Sequence, residues 1–309
     1  MFSVDEIVTP RGILQYRTEK YTGFRCRISP DRRMRQIDQT PFVLPTSDPW
    51  PFCPEQVLKV TPTFPDGSRI IHGESVTFPN LYPFAAGHVV SVITKTHYTD
   101  VFSRQQLVNA FQGITEALTP VGGYASINWN FLPSAGASMI HPHMQGLSDR
   151  QPTHVVFRYL TAGRDYHSEH HRNYWDHVRE EEKNSGRYLF GEEIIWSAHA
   201  VPLGECEVRG ILPIATLQEF GEYIDLLSRG ILENLCFFRS LGTHAFNLSL
   251  CFDKTRNAEG MRAFCSMICR INPNPSSTSD SAFMERMHLE PVIMTLPEDL
   301  GRLYRKEKK

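Results

Sequence analysis

The sequence predicts an α+β protein of two similarly built halves, each a mostly antiparallel sheet with packed helices. Three observations predict it. Short runs bounded by Pro and Gly alternate apolar and polar residues in the first 150 positions. Stretches 104–118 and 217–241 carry apolar residues at helical spacing. Strands, helix and strands then recur in the same order after residue 190. No residue-level repeat accompanies that recurrence, so the expected duplication is architectural, with a first half over 1–160 and a second over 161–309.

The basic cluster Arg25, Arg27, Arg32, Arg33 and Arg35 surrounds Ser29-Pro30-Asp31, which reads as a strand ending in a turn. The Pro-rich segment 41–65 is expected to be largely irregular. Runs 75–83 and 87–93 read as strands split by a Pro/Gly loop, 104–118 as a helix, and 124–131 and 137–145 as two further strands. Residues 157–187 are rich in His, Glu, Arg and Tyr with few aliphatics and read as a long solvated helical link. Strands follow at 192–200 and 207–212, a long amphipathic helix at 217–241, strands at 245–252 and 263–271, a polar loop at 276–280, and a basic tail expected to fray at 302–309.

A chain of 309 residues buries about three-quarters of its unfolded surface, enough for a sizeable core. With 41% hydrophobic and 21% charged residues, disorder and collagen-like repeats are excluded for the bulk. The 32 Lys and Arg against 34 Asp and Glu leave a net charge of -2, so no global basic field gathers nucleic acid or an anionic membrane, and neither is expected as a partner. Asp5 and Glu6 stand where a signal peptide would need basic residues, and no apolar stretch reaches bilayer length, so the expected compartment is cytoplasmic. Seven dispersed cysteines without a CxxC pair fit reduced thiols.

The informative stretch is Gly136-Ala137-Ser138-Met139-Ile140-His141-Pro142-His143-Met144-Gln145. On a strand, His141, His143 and Gln145 project to one side, while Pro142 argues against a helix interior and for a sheet edge or strand start. A neutral imidazole is a good nucleophile, and attack on the α-phosphorus of a nucleotide would split one displacement into two. Its other ring nitrogen needs orienting, which a backbone carbonyl could do, and the Gln145 amide could donate to a phosphoryl oxygen. The same residues could instead be two satisfied surface histidines.

This segment closely resembles the active-site segment of galactose-1-phosphate uridylyltransferases, Gly-x-Ser-x-x-His-Pro-His-x-Gln, in the histidine-triad (HIT) superfamily. Asn130, eleven residues before His141, matches that family's active-site asparagine. Residues 28–35 look like its phosphate- and hexose-contacting arginine segment, placing Arg32 and Arg35, and residues 78–83 resemble its uridine-side segment, placing Asn80. The resemblance implies two HIT-like halves, the first catalytic and the second lacking the motif. It makes His143 the nucleotidylated nucleophile, gives Gln145 and Ser138 to phosphate oxygens, and places Asn130, Arg32, Arg35, Asn80 and His141 around the substrate. It further implies ping-pong transfer of a nucleoside monophosphate between a nucleotide-sugar and a sugar phosphate, in a homodimer. Gln145 takes up no proton, so transfer is favoured over hydrolysis.

The same resemblance points to a zinc site, here incomplete: Cys53, His97 and His141 stand at three ligand positions and Trp50 at the fourth. Those residues could hold zinc with a further partner, or simply hydrogen-bond without metal. Met267 to Pro273 replaces the family's second metal segment, so no iron is expected. Arg286 and His288 replace residues of the hexose-contacting segment, which opens a second reading: inorganic phosphate as acceptor, in a phosphorylase of nucleoside diphosphate sugars or diadenosine polyphosphates. A non-catalytic nucleotide-binding protein is the third. His167, His170, His171 and His177 read as a solvated helix face.

Overall fold

The computed structural model describes residues 1–10, 12–34, 50–273 and 283–308. A small sheet opens with the hairpin β1 (Phe2–Thr9) and β2 (Gly12–Glu19), followed by β3 (Arg25–Ile28) and a 3-10 turn over Pro30–Met34. Next come helix α1 (Pro54–Val60), strands β4 (Ile70–His72), β5 (Ser75–Pro79) and β6 (Gly87–Val92), helix α2 (Arg104–Leu118), and strands β7 (Tyr124–Phe131) and β8 (His143–Asp149). Helices α3 (His154–His170) and α4 (Tyr174–Lys183) lead to β9 (Tyr188–Phe190), β10 (Ile195–Ala198) and β11 (Val208–Ile211). A 3-10 stretch over Leu217–Tyr223 then runs into α5 (Ile224–Ser240), followed by β12 (Phe246–Cys251), β13 (Phe264–Cys269), α6 (Phe283–Met287), β14 (Val292–Ile293) and α7 (Pro297–Glu307).

Among the described residues the main sheet has ten strands in the order β4-β5-β6-β8-β7-β12-β13-β11-β10-β9, every pair antiparallel. Read inward from either edge the order is the same, with α2 between β6 and β7 and α5 between β11 and β12. The two series meet at β7 and β12, where Asn128 faces Ser249. Register extends the equivalence: His143 opposes Val92 as Phe264 opposes Ile211, and Gln145 opposes Val90 as Ser266 opposes Arg209. The second series therefore has Phe264 where the first has His143. The smaller sheet runs β1-β2-β3-β14, so residues from both ends of the chain share it.

One face of the main sheet lies under α2 and α5, with Ile114, Trp129, Met144, Phe246 and Leu248 fully or nearly fully buried between them. Burying Met144 contributes roughly 1.5–3 kcal/mol and fixes the pleat of β8, because a one-residue slip would turn Met144 out and His143 in. Gly146 sits where a Cβ would overlap Ile114, which is how α2 comes close enough to cover that pleat. On the opposite face α1 covers β5 and β6 through Val57, Phe78, Val90 and Val92.

Several expectations need correcting. The strand forecast over 137–145 begins only at His143, after a 3-10 turn at Pro133–Ala135 and positive φ at Leu132 (74°) and Gly136 (85°). Segment 157–187 is two helices broken at His171, and its inner face is buried, with Trp175 stacked on Phe264 at 5.1 Å and 12°. Its core contacts are aromatic, so a count of aliphatics underestimates them. The C-terminal stretch is helix α7, anchored by Leu300 and Tyr304, rather than a loose tail. Within the Pro-rich segment 54–60 is helical, while 41–49, like the forecast loop at 276–280, lies outside the described residues.

Candidate functional site

Pro142 delays β8 by keeping the preceding segment irregular, and that segment turns His141 inward before the strand begins. His141 is fully buried, and its Nε2–H donates to the Thr94 carbonyl at 2.7 Å. Two residues on, His143 donates Nδ1–H to the His141 carbonyl at 2.9 Å. This fixes the tautomer and leaves Nε2 of His143 without a hydrogen-bond partner among the described residues. The Phe52 ring meets the His143 ring edge-on at 5.2 Å. Burial pushes the His143 imidazole below its ordinary value, opposed only in part by the bond to the carbonyl. Burial does the same to His141, where the Thr94 carbonyl opposes it and His97 and His143 add to it. Burial thus favours the neutral form of both rings.

Gln145 follows on the same face of β8, with Oε1 2.9 Å from Nε2 of His88 on β6. Asn80, just past β5, brings Nδ2 to 3.1 Å from the same nitrogen. The outward face of β7 and β12 continues this polar row: Ser249 Oγ donates to Asn128 Oδ1 at 2.8 Å, and Asn247 Nδ2 to Asn130 Oδ1 at 2.7 Å. Such amides and hydroxyls can hold phosphate oxygens but carry no net charge.

Cys53, the N-cap position of α1, places Sγ 3.2 Å from His97 Nδ1 and 3.9 Å from His141 Nδ1. The three donor atoms lie within 4.8 Å of one another and could hold a metal ion. Since Nε2 of His141 is committed to the Thr94 carbonyl, its Nδ1 lone pair faces the other two, the arrangement a metal-bound histidine needs. Trp50 packs its ring against His97 at 5.6 Å.

His143, Gln145, His141, Cys53, His97, Asn80 and Asn130 thus stand on neighbouring elements. Ser138 is exposed in the loop before β8. Arg32 lies in the turn after β3, and among the described residues no hydrogen bond or ion pair joins it to the β8 group. Arg35 lies outside the described residues. Sequence reasoning missed His88, Asn128, Asn247 and Ser249. His88 carried a signal, since it is the one titratable residue in the apolar run 87–93.

No family model matches the chain. An uncharacterized protein of Archaeoglobus fulgidus is 27% identical over 262 residues, covering 82% of this chain and 79% of that one. The solved structure of an ADP-glucose phosphorylase from Arabidopsis thaliana with bound ADP-glucose superposes with a TM-score of 0.75 at 15% identity, over 95% of this chain and 99% of that one. A GalT-like protein from Arabidopsis thaliana gives 0.72 at 14% identity over 95% and 98%, and a uridylyltransferase gives 0.67 at 17% over 94% and 97%. Among the described residues no helix is long and apolar enough to cross a membrane. The chain therefore has the same fold as these phosphorylase, GalT-like and uridylyltransferase structures.

Proposed function

We propose that this protein is a nucleotidyltransferase acting on a nucleoside diphosphate sugar through His143. The observation that carries the reading is the bond from His143 Nδ1–H to the His141 carbonyl, which leaves a neutral, partly shielded Nε2 free to attack. The Nε2 lone pair forms a bond to the α-phosphorus, the bond from that phosphorus to the bridging oxygen breaks, and the sugar phosphate leaves with the electron pair. The proton stays on Nδ1 throughout, hydrogen-bonded to the His141 carbonyl. In the second half an acceptor phosphate oxygen attacks the same phosphorus and the P–N bond breaks. Gln145 and Ser138 donate to the phosphoryl oxygens, with Asn130, Asn80, Arg32 and Arg35 around the substrate.

Cys53, His97 and His141 suit zinc, a nitrogen-and-sulfur site one protein ligand short of a closed tetrahedron. Zinc would pin His141, and with it the carbonyl that orients His143. We also propose a cytoplasmic homodimer, each chain of which has a first half over 1–160 and a second over 161–309.

A second reading takes inorganic phosphate as acceptor. It is favoured by a basin lined by Arg25, Arg158, Arg270 and Arg286 together with Glu285 and Glu290, in which Arg286 and His288 are the departures from the resembled family. The two readings separate in one experiment: load the protein with α-phosphate-labelled UDP-, ADP- or GDP-sugar, then chase. Release of a nucleotide-sugar by sugar phosphate supports the transferase, and release of a nucleoside diphosphate by phosphate supports the phosphorylase. Thermal stabilisation by nucleotide with no labelling would leave a binding protein and overturn both.

A further inference from the structure

We propose that His88 is a positioning residue whose tautomer decides which end of the Gln145 amide faces the nucleotide. The proposal rests on the reading of His143 as nucleophile. His88 is buried on β6, on the same face of the sheet as His143 and Gln145. Its Nε2 lies 2.9 Å from Gln145 Oε1 and 3.1 Å from Asn80 Nδ2, and its Nδ1 lies 3.4 Å from the backbone nitrogen of Phe84.

These three neighbours cannot all be satisfied by one neutral ring, because each nitrogen either donates or accepts. The Asn80 amide is not free to turn, since its Oδ1 accepts the Tyr82 N–H at 2.8 Å. With the proton on Nε2, the ring donates to Gln145 Oε1 and accepts from Phe84 N–H at Nδ1, leaving only the Asn80 amide opposed. With the proton on Nδ1, the ring opposes Phe84 N–H, and the single lone pair on Nε2 accepts from Asn80 or from a turned Gln145 amide, one bond in place of two. Two bonds against one select the Nε2–H form.

The consequence is directional. An amide that presents its oxygen to His88 turns its NH2 the other way, as a donor for phosphoryl oxygens. Flipped, it would present a lone pair to an anion, which repels it as negative charge develops. Asn80 then has a role of its own: it limits how firmly the ring holds the Nε2–H form. In the second series of strands the places of Asn80, His88 and Gln145 fall to His199, Glu207 and Ser266. There Glu207 Oε1 accepts from Ser266 Oγ at 2.6 Å and His199 Nδ1 lies 3.3 Å from Glu207. The same three positions are linked in both halves, but only the first half has an adjustable ring in the middle and a nucleophile two residues before the last member.

The test has two arms. In wild-type protein, 15N ring spectra of histidine, assigned by comparison with His88→Leu, should show protonated Nε2 and unprotonated Nδ1. An Nδ1–H ring overturns the proposal whatever the enzyme does, so this arm stands even if His143 is never labelled and the functional reading falls. The second arm is a double-mutant cycle on the rate of His143 nucleotidylation at saturating nucleotide-sugar. His88→Leu should slow it about 10- to 100-fold, somewhat less than loss of a whole oxyanion donor, with KM changed less than about threefold. His88→Gln, which can still donate to Oε1, should recover most of the rate. In a Gln145→Ala background His88→Leu should cost less than about twofold more. An undiminished loss in that background, or no recovery by His88→Gln, makes His88 merely structural and overturns the proposal.

Discussion

The ring of His143 is oriented by the backbone of His141, 2.9 Å from Nδ1, while the ring of His141 is itself held by the Thr94 carbonyl at 2.7 Å. One histidine is available for chemistry because the other is spent on structure. Their substitutions should therefore separate. His143→Ala should abolish nucleotide labelling and cost about 1–2 kcal/mol, since it removes the bond to the His141 carbonyl and the Phe52 contact but leaves the buried His141 ring and its partners in place. His141→Ala orphans the buried Thr94 carbonyl and leaves a cavity, so it should cost at least about 2 kcal/mol in urea unfolding. A reversal of that order would contradict the assignment.

Metal binding is checked by titrating Co(II) into reduced, chelator-treated protein. One equivalent should produce a thiolate-to-cobalt charge-transfer band. Cys53→Ser should remove it, and His97→Ala should weaken binding while keeping some of it. Wild-type protein without that band would contradict zinc at Cys53, His97 and His141.

Gly146→Ala tests the close approach of α2 to β8. The added methyl overlaps Ile114 and comes within 2.9 Å of Leu118 Cδ1 and 3.0 Å of Val89 Cγ2, so the helix must shift. Denaturation should show a loss of about 1–3 kcal/mol. Full stability in the variant would mean the helix is packed more loosely than described.

Acid stability should depend on Glu207. Burial alone would raise its carboxyl, but Arg209, His199 and hydrogen bonds outweigh burial and hold it well below the usual range. Its Oε1 accepts from Arg209 Nη2 at 2.7 Å, and its Oε2 accepts from the Leu203 N–H at 2.6 Å. A depressed carboxyl contributes stability above its unfolded value, about 4.3, and loses it as pH falls toward its folded one. Glu207→Gln should cost about 3–5 kcal/mol at pH 7, and the gap from wild type should narrow steadily below about pH 4.3. A gap independent of pH would contradict the buried ion pair.

Much of this was legible where local chemistry and tertiary packing agree. Helix α2 occupies the forecast 104–118 because Ser103 and Gln106 form a capping box ahead of regularly spaced apolar residues. Strand β7 matches 124–131 because Ile127, Trp129 and Phe131 alternate with polar residues. The hairpin β1–β2 was illegible, since most of β1 is exposed and shows no buried face to set a period. At the site, His141, His143 and Gln145 were readable as one contiguous segment, although the strand starts six residues later than forecast, at His143, and carries only His143 and Gln145. Asn128, Ser249 and His88 were not, because their roles arise from the register of β6, β7, β8 and β12, which no single segment encodes.

The central claim is that His143 Nε2 becomes covalently nucleotidylated, and intact-protein mass spectrometry after brief mixing with UDP- or ADP-sugar, quenched at alkaline pH, tests it most directly. The account predicts a mass increase of one nucleoside monophosphate, mapped to the His143 peptide, lost on mild acid treatment and absent from His143→Ala. An adduct that persists in His143→Ala, or turnover of a nucleotide-sugar with no adduct at any time, would contradict it.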